Sequence, residues 1–510
     1  MSSYETQVKI FTPADFFNDA ISSAVPSDIR EILKIKNSPE FIKADGIYMA
    51  GGLPNPKTFP VDKIMEAVLT IPKRNAPDGY DWETAFQYGP TAGLPQFQET
   101  VIKYVKALFK SEYGVEIEIP RDEVIIFGGG SQEGIAGIEQ VFLDRGDCVA
   151  IARYTYLGGA QVFCAKVNEE NLYDVISIPM EKDGIDVDWF ERELERRKES
   201  GEKLPKFVYL VPTFQNPSSA VLSRKKRLKL LDLAERYDFI LIEDQPYEAL
   251  RYEETEPVES IYVLDRKREE VVGKPQTNRV LYLGTFSKVL APGLRLAFMI
   301  AHPEIIAKFE LNKQSKNLCS SSFCQVIAGK YIEYVGVDGF LQHIRENAEL
   351  YKDRVSAFVD AVRRKLPEFE VRMPGGSFFL WGRLPGMEKV ADKEIMAREG
   401  IAWVRGTPFF TSDPDDSYLR LNPGTFSDKF EDEAEVAAER LANLYDIANG
   451  RKPRYPRRKR TPRKTRTISL FQEEYPAHEL EEIFEEIERR KKLRNFFEKL
   501  YEENLAGTVV

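Results

Sequence analysis

What most restricts the fold of this chain is a series of short apolar runs separated by helical stretches. Beyond about Phe59, Glu123 to Phe127 (EVIIF), Cys148 to Ala152 (CVAIA), Phe207 to Val211 (FVYLV), Phe239 to Ile242 (FILI) and Val280 to Leu283 (VLYL) read as buried strands. Between them lie helical patterns such as Arg224 to Tyr237, with apolar residues at Leu228, Leu230, Leu231 and Ala234. Strand and helix alternating in this way predict an α/β fold around a doubly wound, mainly parallel sheet. Met299 to Ala301 is expected to close that sheet before a helix at Pro303. Ligands in such folds bind beyond the carboxyl ends of the strands, so the residues that follow each run are the candidates for function.

From about Cys324 the pattern changes to long amphipathic helices, then Glu368 to Arg372, a Pro-Gly-Gly turn and Phe378 to Trp381, a smaller α+β domain ending near Asn449. The expected organisation is an N-terminal arm and mobile helix (1–60) packing with the small domain, a large domain (61–323), the small domain (324–449), a basic flexible linker (450–476) and an amphipathic helical appendage (477–505). The net charge of −10 divides along that plan. Arg451 to Val510 holds 16 basic and 11 acidic residues, leaving 56 and 71 for the first 450. An acidic body carries a basic tail. Ten of the sixteen residues from Arg451 to Arg466 are Lys or Arg, with three prolines, and almost no aromatics interleave them, so a folded base-reading surface is not indicated, although the basic tail leaves nucleic-acid or partner binding open.

No run approaches the ~18 apolar residues of a membrane span. The first residues carry neither a basic nor an apolar segment, which reads as no secretory signal and a cytoplasmic protein. Four cysteines (Cys148, Cys164, Cys319, Cys324) cannot frame a chain of 510 residues with disulfides and point to a reducing compartment. Three scattered histidines and no CxxC leave little for a metal, so no metal site is expected and His-based triads are disfavoured.

The strongest chemical signal follows the Val280 to Leu283 strand: Gly284-Thr-Phe-Ser-Lys288, then Ala-Pro-Gly-Leu-Arg295. A lysine flanked by hydroxyls and followed by an arginine suits a Schiff-base amine beside a phosphate, with Thr285, Ser287 and Arg295 as phosphate donors. After EVIIF comes Gly128-Gly-Gly-Ser-Gln-Glu-Gly134, whose glycines and helix-start amides, with Ser131 and Gln132, can bind an anion. It is not a dinucleotide fingerprint, because the third glycine position falls on Glu133. Asn216 and the pair Asp244 and Tyr247 follow the next two strands. An acid held against a pyridine nitrogen keeps it protonated, which makes the ring an electron sink.

With these residues in place, the chain resembles the fold-type I pyridoxal-phosphate aminotransferases of class I and II, in the aminoadipate, kynurenine and aromatic branch. The resemblance spans residues 25 to 448 and rests on Gly51-Gly-Leu-Pro-Asn-Pro56, Tyr88-Gly-Pro-Thr-Ala-Gly93, Gly130-Ser-Gln132, Pro212-Thr-Phe-Gln-Asn-Pro217, Gly284-Thr-Phe-Ser-Lys288 and Tyr418-Leu-Arg420-Leu-Asn. It implies pyridoxal 5′-phosphate as cofactor, amino-acid and 2-oxo-acid substrates with 2-oxoglutarate the expected acceptor, a ping-pong mechanism and a homodimer. Lys288 is then the Schiff-base lysine and proton carrier. Asp244 pairs with the ring nitrogen, Asn216 and Tyr247 bind the 3-oxygen, and Tyr156 stacks on the ring. Ser131, Gln132, Ser287 and Arg295 hold the phosphate, joined by Tyr88 from the neighbouring subunit. Arg420, aided by the backbone near Gly52, binds the substrate α-carboxylate, with Asn216 beside it. Arg30, in Pro26-Ser-Asp-Ile-Arg30, matches the arginine that meets a distal carboxylate in aminoadipate-using relatives.

The chain departs from the family pattern at Glu133 (usually Gln), at Ala152-Arg-Tyr154 before the stacking tyrosine, and at Gln245 after Asp244. Glu133 and Arg153 are expected near the pocket, where they would alter the substrate range. Racemisation, β-elimination or decarboxylation on the same cofactor would use the same lysine and acid. A regulatory binding protein of this fold would need a winged helix before the body, for which only about 25 residues are present.

Overall fold

The computed structural model describes residues 28–457 except 168 and 169, together with Phe17 and Ser22. The expected appendage at 477–505, most of the basic linker and the first part of the N-terminal arm (1–27, Phe17 and Ser22 apart) lie outside the described residues. The main sheet has seven strands: β1 (Val124–Phe127), β2 (Cys148–Ala152), β3 (Asp174–Ile178), β4 (Pro205–Leu210), β5 (Ile240–Gln245), β6 (Val280–Thr285) and β7 (Ala297–Ile300), in the order β1-β7-β6-β5-β4-β2-β3. Every residue of β1, β2, β6 and β7 is buried. Helices cover both faces of such a sheet, which is why its strands read as continuous apolar runs, not as alternating ones. The helix Arg224–Tyr237 has the bounds its periodicity predicts and turns its Leu230, Leu231 and Ala234 inward.

Two strands depart from expectation. β7 does not close the sheet: it lies between β1 and β6 and is antiparallel to both. Its pairing of Ala297 with Thr285 returns the chain to the carboxyl end of β6, which brings Arg295 beside the Lys288 loop. β3 is the far edge strand, and its half-exposed pattern hides it from a search for apolar runs.

A second sheet, wholly antiparallel, runs in the order Glu370–Val371, Leu380–Arg383, Tyr418–Leu421, Val404–Arg405. It shares a separate apolar core with Ile32, Ile35, Phe41 and Met49 from the N-terminal segment and with the helix Phe430–Ala448. The long helical element Ser322–Lys365 joins the two cores. It is interrupted at Gly336, whose φ of 73° takes it out of the helical range. Residues as far along it as Tyr351 pack on the main core, and Val355 to Val362 pack on the second.

Residues 451–457, expected to begin the flexible linker, are held down. Arg454 binds Asp446 at 2.7 Å and Glu368 at 3.0 Å, the Tyr455 amide donates to Asn443 at 2.9 Å, and Arg457 pairs with Glu399 at 2.7 Å. The basic composition that reads as a linker here finds acidic partners on the second core's surface.

Candidate active site

The carboxyl ends of the strands and the start of β7 converge on a cavity of about 580 Å³. Ser131, Gln132, Tyr156, Asn216, Asp244, Tyr247, Ser287, Lys288, Arg295, Gly52 and Arg420 all line it. Residues scattered over nearly 370 positions thus share one wall, most of them because they end or follow parallel strands of the main sheet, while Arg295, Gly52 and Arg420 reach it from other elements.

Lys288 Nζ donates to the Gly52 carbonyl at 2.9 Å. Burial, followed by the charges of Arg420 and Arg295, pushes its amine down to about 8. That raises the fraction in the neutral form, the one that attacks an aldehyde.

Asp244 stands near the end of β5. Its Oδ2 accepts from the Tyr209 hydroxyl at 2.7 Å, while Oδ1 is buried without a hydrogen-bond partner among the described residues. Burial pushes the carboxyl up to about 7, and the Tyr209 bond opposes that rise. Leaving a buried carboxylate oxygen unpaired is costly, so Oδ1 fits a donor such as a protonated ring nitrogen. Tyr247 is also buried, edge-on to Phe378 and Phe379, and burial raises its hydroxyl well above the usual range. Tyr156 donates to Gln132 Oε1 at 3.2 Å, and Gln132 Nε2 donates to the Gly158 carbonyl at 3.1 Å.

The phosphate end is built on backbone. Gly130, at φ 73°, precedes the helix Ser131–Phe142, and a Cβ there would stand 2.6 Å from Arg295 Nη2. It is the backbone at φ 73° and ψ −172° that calls for glycine here. Gly130 N donates to the Arg295 carbonyl at 2.8 Å, and Arg295 Nη2 returns a bond to the Gly129 carbonyl at 2.5 Å. The Thr285 and Ser287 hydroxyls lie 3.1 Å apart beside them. Helix-start amides, two hydroxyls and a guanidinium form a cradle for an anion.

At the opposite end Arg420 is fully buried. Its Nη2 donates to the Ala50 carbonyl at 2.7 Å and its Nη1 to Asn216 Oδ1 at 3.4 Å. Its guanidinium lies 4.5 Å from the Phe379 ring centroid and 5.1 Å from that of Phe409. Burial pulls its pKa down to about 10, which still leaves it charged at neutral pH. No carboxylate among the described residues pairs with it.

One expected residue is not brought to this wall, and the side chain of another is not described. Tyr88 is 79% exposed and lies outside the cavity of its own chain. Arg30 belongs to the helix Asp28–Leu33, but its side chain lies outside the described residues. The departures from the family pattern also point elsewhere. Glu133 binds Lys313, Arg153 pairs with Asp413 at 3.6 Å, and Gln245 donates to Thr213 and Glu243. None of the three lines the cavity, so Glu133 and Arg153, expected near the pocket, are not part of its wall. The two charged ones are each paired with an opposite charge outside that wall.

Other residues of the site escape sequence reasoning. Tyr209 hides in the apolar run of β4, where only its polar tip could have marked it. Asn422 donates to the Gly51 and Leu53 carbonyls at 2.8 and 3.1 Å and so fixes the loop that carries Gly52. Gln161 and Phe379 also line the wall, and no spacing singles them out, whereas Leu33 belongs to the apolar residues beside Arg30 and Leu53 to the Gly51 motif.

Comparison with known proteins agrees with this geometry. Residues 53–441 match the family model described as aminotransferase class I and II. Aromatic-amino-acid aminotransferase 1 of Thermococcus litoralis is 36% identical over 80% of this chain and 89% of that one. The 2-aminoadipate transaminase of Thermus thermophilus is 31% identical over 78% of this chain and 89% of that one. Among solved structures, Pyrococcus horikoshii kynurenine aminotransferase, crystallised with PMP, superposes with a TM-score of 0.71 at 35% identity, covering 85% of this chain and 97% of that one. The open Asp244 oxygen, the glycine cradle and the depressed lysine each fit pyridoxal phosphate independently of those likenesses. The chain belongs to the class I and II aminotransferases and is a pyridoxal-phosphate-dependent transferase of the fold-type I group.

Proposed function

We propose that this enzyme moves the amino group of an aromatic, aliphatic or 2-aminoadipate-like amino acid to a 2-oxo acid, with 2-oxoglutarate as acceptor, in two alternating half-reactions. The observation that carries the reading is the buried Arg420 guanidinium, without a carboxylate partner among the described residues, on the same cavity wall as Lys288. A substrate α-carboxylate supplies the bidentate anion that such a group needs. When bound, the cofactor supplies an electron sink that acidifies the substrate Cα–H. Lys288 Nζ takes that proton and returns it across the same face. Asp244 Oδ1 keeps the ring nitrogen protonated, Asn216 and Tyr247 hold the 3-oxygen, and Tyr156 covers the ring. Ser131, Gln132, Ser287 and Arg295 hold the phosphate. Gly52, through its carbonyl, keeps Lys288 at hand. Leu33 and Leu53 give the substrate side chain an apolar wall, and Arg30 is assigned to a distal carboxylate.

A second copy of the chain belongs to the working enzyme. Phe86 is 78% exposed yet stacks with Trp82 and Phe323, and Tyr88 stands two residues on. Apolar clusters of this kind in contact with water mark interfaces, and a partner seated here would bring Tyr88 to a neighbouring phosphate site. The four free cysteines support a reducing cytoplasmic setting. The arm, large domain, small domain, linker and appendage remain our working division, with the changeover between cores carried by Ser322–Lys365.

Full-length enzyme supplied with 2-oxoglutarate and a panel of L-phenylalanine, L-kynurenine, L-leucine and L-2-aminoadipate tests the reading. Glutamate formation with at least one donor is expected. Consumption of a donor without glutamate, yielding racemised or decarboxylated product, would replace it.

A further inference from the structure

The Glu133 carboxylate has three donors. Gly129 N approaches Oε2 at 2.6 Å, while Lys313 Nζ and Asn317 Nδ2 each approach Oε1 at 2.9 Å. Lys313 is itself buried, 3% exposed, and its other hydrogen bond goes to Asn317 Oδ1 at 3.1 Å. Gly129 is the residue whose carbonyl receives Arg295, so the glycine turn is gripped on one side by Arg295 and on the other by Glu133. The grip is close: a Cβ on Gly129 would stand 3.0 Å from the Glu133 Cβ and 3.1 Å from Oε2. Glu133 also lies in the first turn of the helix whose opening residues, Ser131 and Gln132, line the cavity.

A carboxylate in that first turn suits the helix dipole and the Gly129 amide. The same charge beside an anion-binding helix start opposes a bound phosphate, because like charges at short range repel. Lys313 resolves the conflict. It lies on the helix Pro303–Lys316, outside the cavity wall, and neutralises the carboxylate without adding a donor to the cradle.

We infer that Glu133 and Lys313 form a charge-compensated clamp that sets the phosphate cradle: Glu133 holds the glycine turn, and Lys313 cancels the negative charge that this hold would otherwise place next to the phosphate. Both are positioning residues. The inference rests on the assignment of the cofactor phosphate to Ser131, Gln132, Ser287 and Arg295.

The test titrates full-length, cofactor-stripped protein with pyridoxal 5′-phosphate and, separately, with pyridoxal, which lacks the phosphate. Lys313→Met leaves Glu133 uncompensated, so its affinity for the phosphorylated form should fall at least about tenfold while pyridoxal binding changes less than about threefold. Glu133→Gln keeps an oxygen acceptor for the Gly129 amide but leaves a buried cation, so its melting temperature should fall without selective loss of the phosphorylated ligand. The double variant, with neither charge, should recover phosphate affinity to within about threefold of the parent. Equal loss of both ligands in Lys313→Met, no loss of either, or a double variant no better than Lys313→Met would each overturn the inference. Arg295→Gln tests the underlying assignment: if it too fails to discriminate the ligands, the cradle reading falls and the clamp with it.

Discussion

The two ends of the active-site cavity, cofactor and substrate as we propose them, are built differently. The cofactor end comes almost wholly from the main sheet: Ser131 follows β1, Tyr156 follows β2, Asn216 follows β4, Asp244 lies near the end of β5 and Lys288 follows β6. The substrate end is assembled from remote pieces, with Leu33 and Leu53 from the N-terminal segment, Gln161 from the helix Leu157–Phe163 and Arg420 from the second sheet. The cofactor is constant, so its groups sit on rigid strand ends that share one frame. The substrate's side chain varies among relatives, and the elements that meet it can change without disturbing that frame.

Substitutions at the two ends should therefore fail differently. The largest effect is expected at the cofactor end, where Lys288→Ala removes both the covalent anchor and the proton carrier. Its half-reaction, followed by rapid absorbance change with a single amino donor, should slow by at least about 10⁴-fold. Substantial residual turnover would move the proton transfer to another group.

Asp244→Asn comes next. The amide leaves the ring nitrogen unprotonated, so proton abstraction should slow by about 10³-fold while cofactor affinity changes little. The same variant tests the carboxyl's environment. Because the folded pKa is raised to about 7 from a usual value near 4, the folded apo chain keeps a proton that the unfolded chain releases. That contribution to stability is complete below pH 4 and is lost as pH rises toward and through 7. Melting temperatures of apo protein between pH 5 and 8 should fall less steeply in Asp244→Asn, and parallel profiles would contradict the raised value.

Arg420→Gln stands at the junction of the two ends. Loss of a charge-assisted pair should raise the KM for every amino donor by about a hundredfold, with a smaller change in kcat. A change confined to one donor class would instead make Arg420 a side-chain selector. The smallest and most selective effect belongs to Arg30→Ala: turnover of glutamate and 2-aminoadipate should fall about tenfold, with phenylalanine unaffected. Equal loss for both classes would remove the division of labour at the substrate end.

The same contrast explains how much was legible beforehand. Lys288, Asp244, Asn216 and the Gly128 to Gln132 turn each follow an apolar run, so order along the chain was enough to predict that they meet. β3 was missed because an edge strand is only partly buried and does not read as apolar. β7 was misplaced because pairing direction depends on which neighbour a strand finds, and local composition does not encode that. Tyr209 was invisible for a related reason: its ring satisfies the core while its hydroxyl satisfies Asp244, and the sequence reports only the ring's apolar company. Glu133 looked like a change to the pocket and is instead a change behind it, because its partner Lys313 is 180 residues away.

By itself, then, the sequence determined the α/β class, the cofactor and the residues that the fold gathers around one cavity, since these follow from short motifs at strand ends and from chemistry that few residue types can perform. Only the tertiary structure decided the antiparallel return of β7 that delivers Arg295, the burial that depresses Lys288 and raises Asp244, and the docking of residues 451–457 on the second core. Each of these depends on distance and dielectric between residues far apart in the chain, quantities that exist only once the chain is folded.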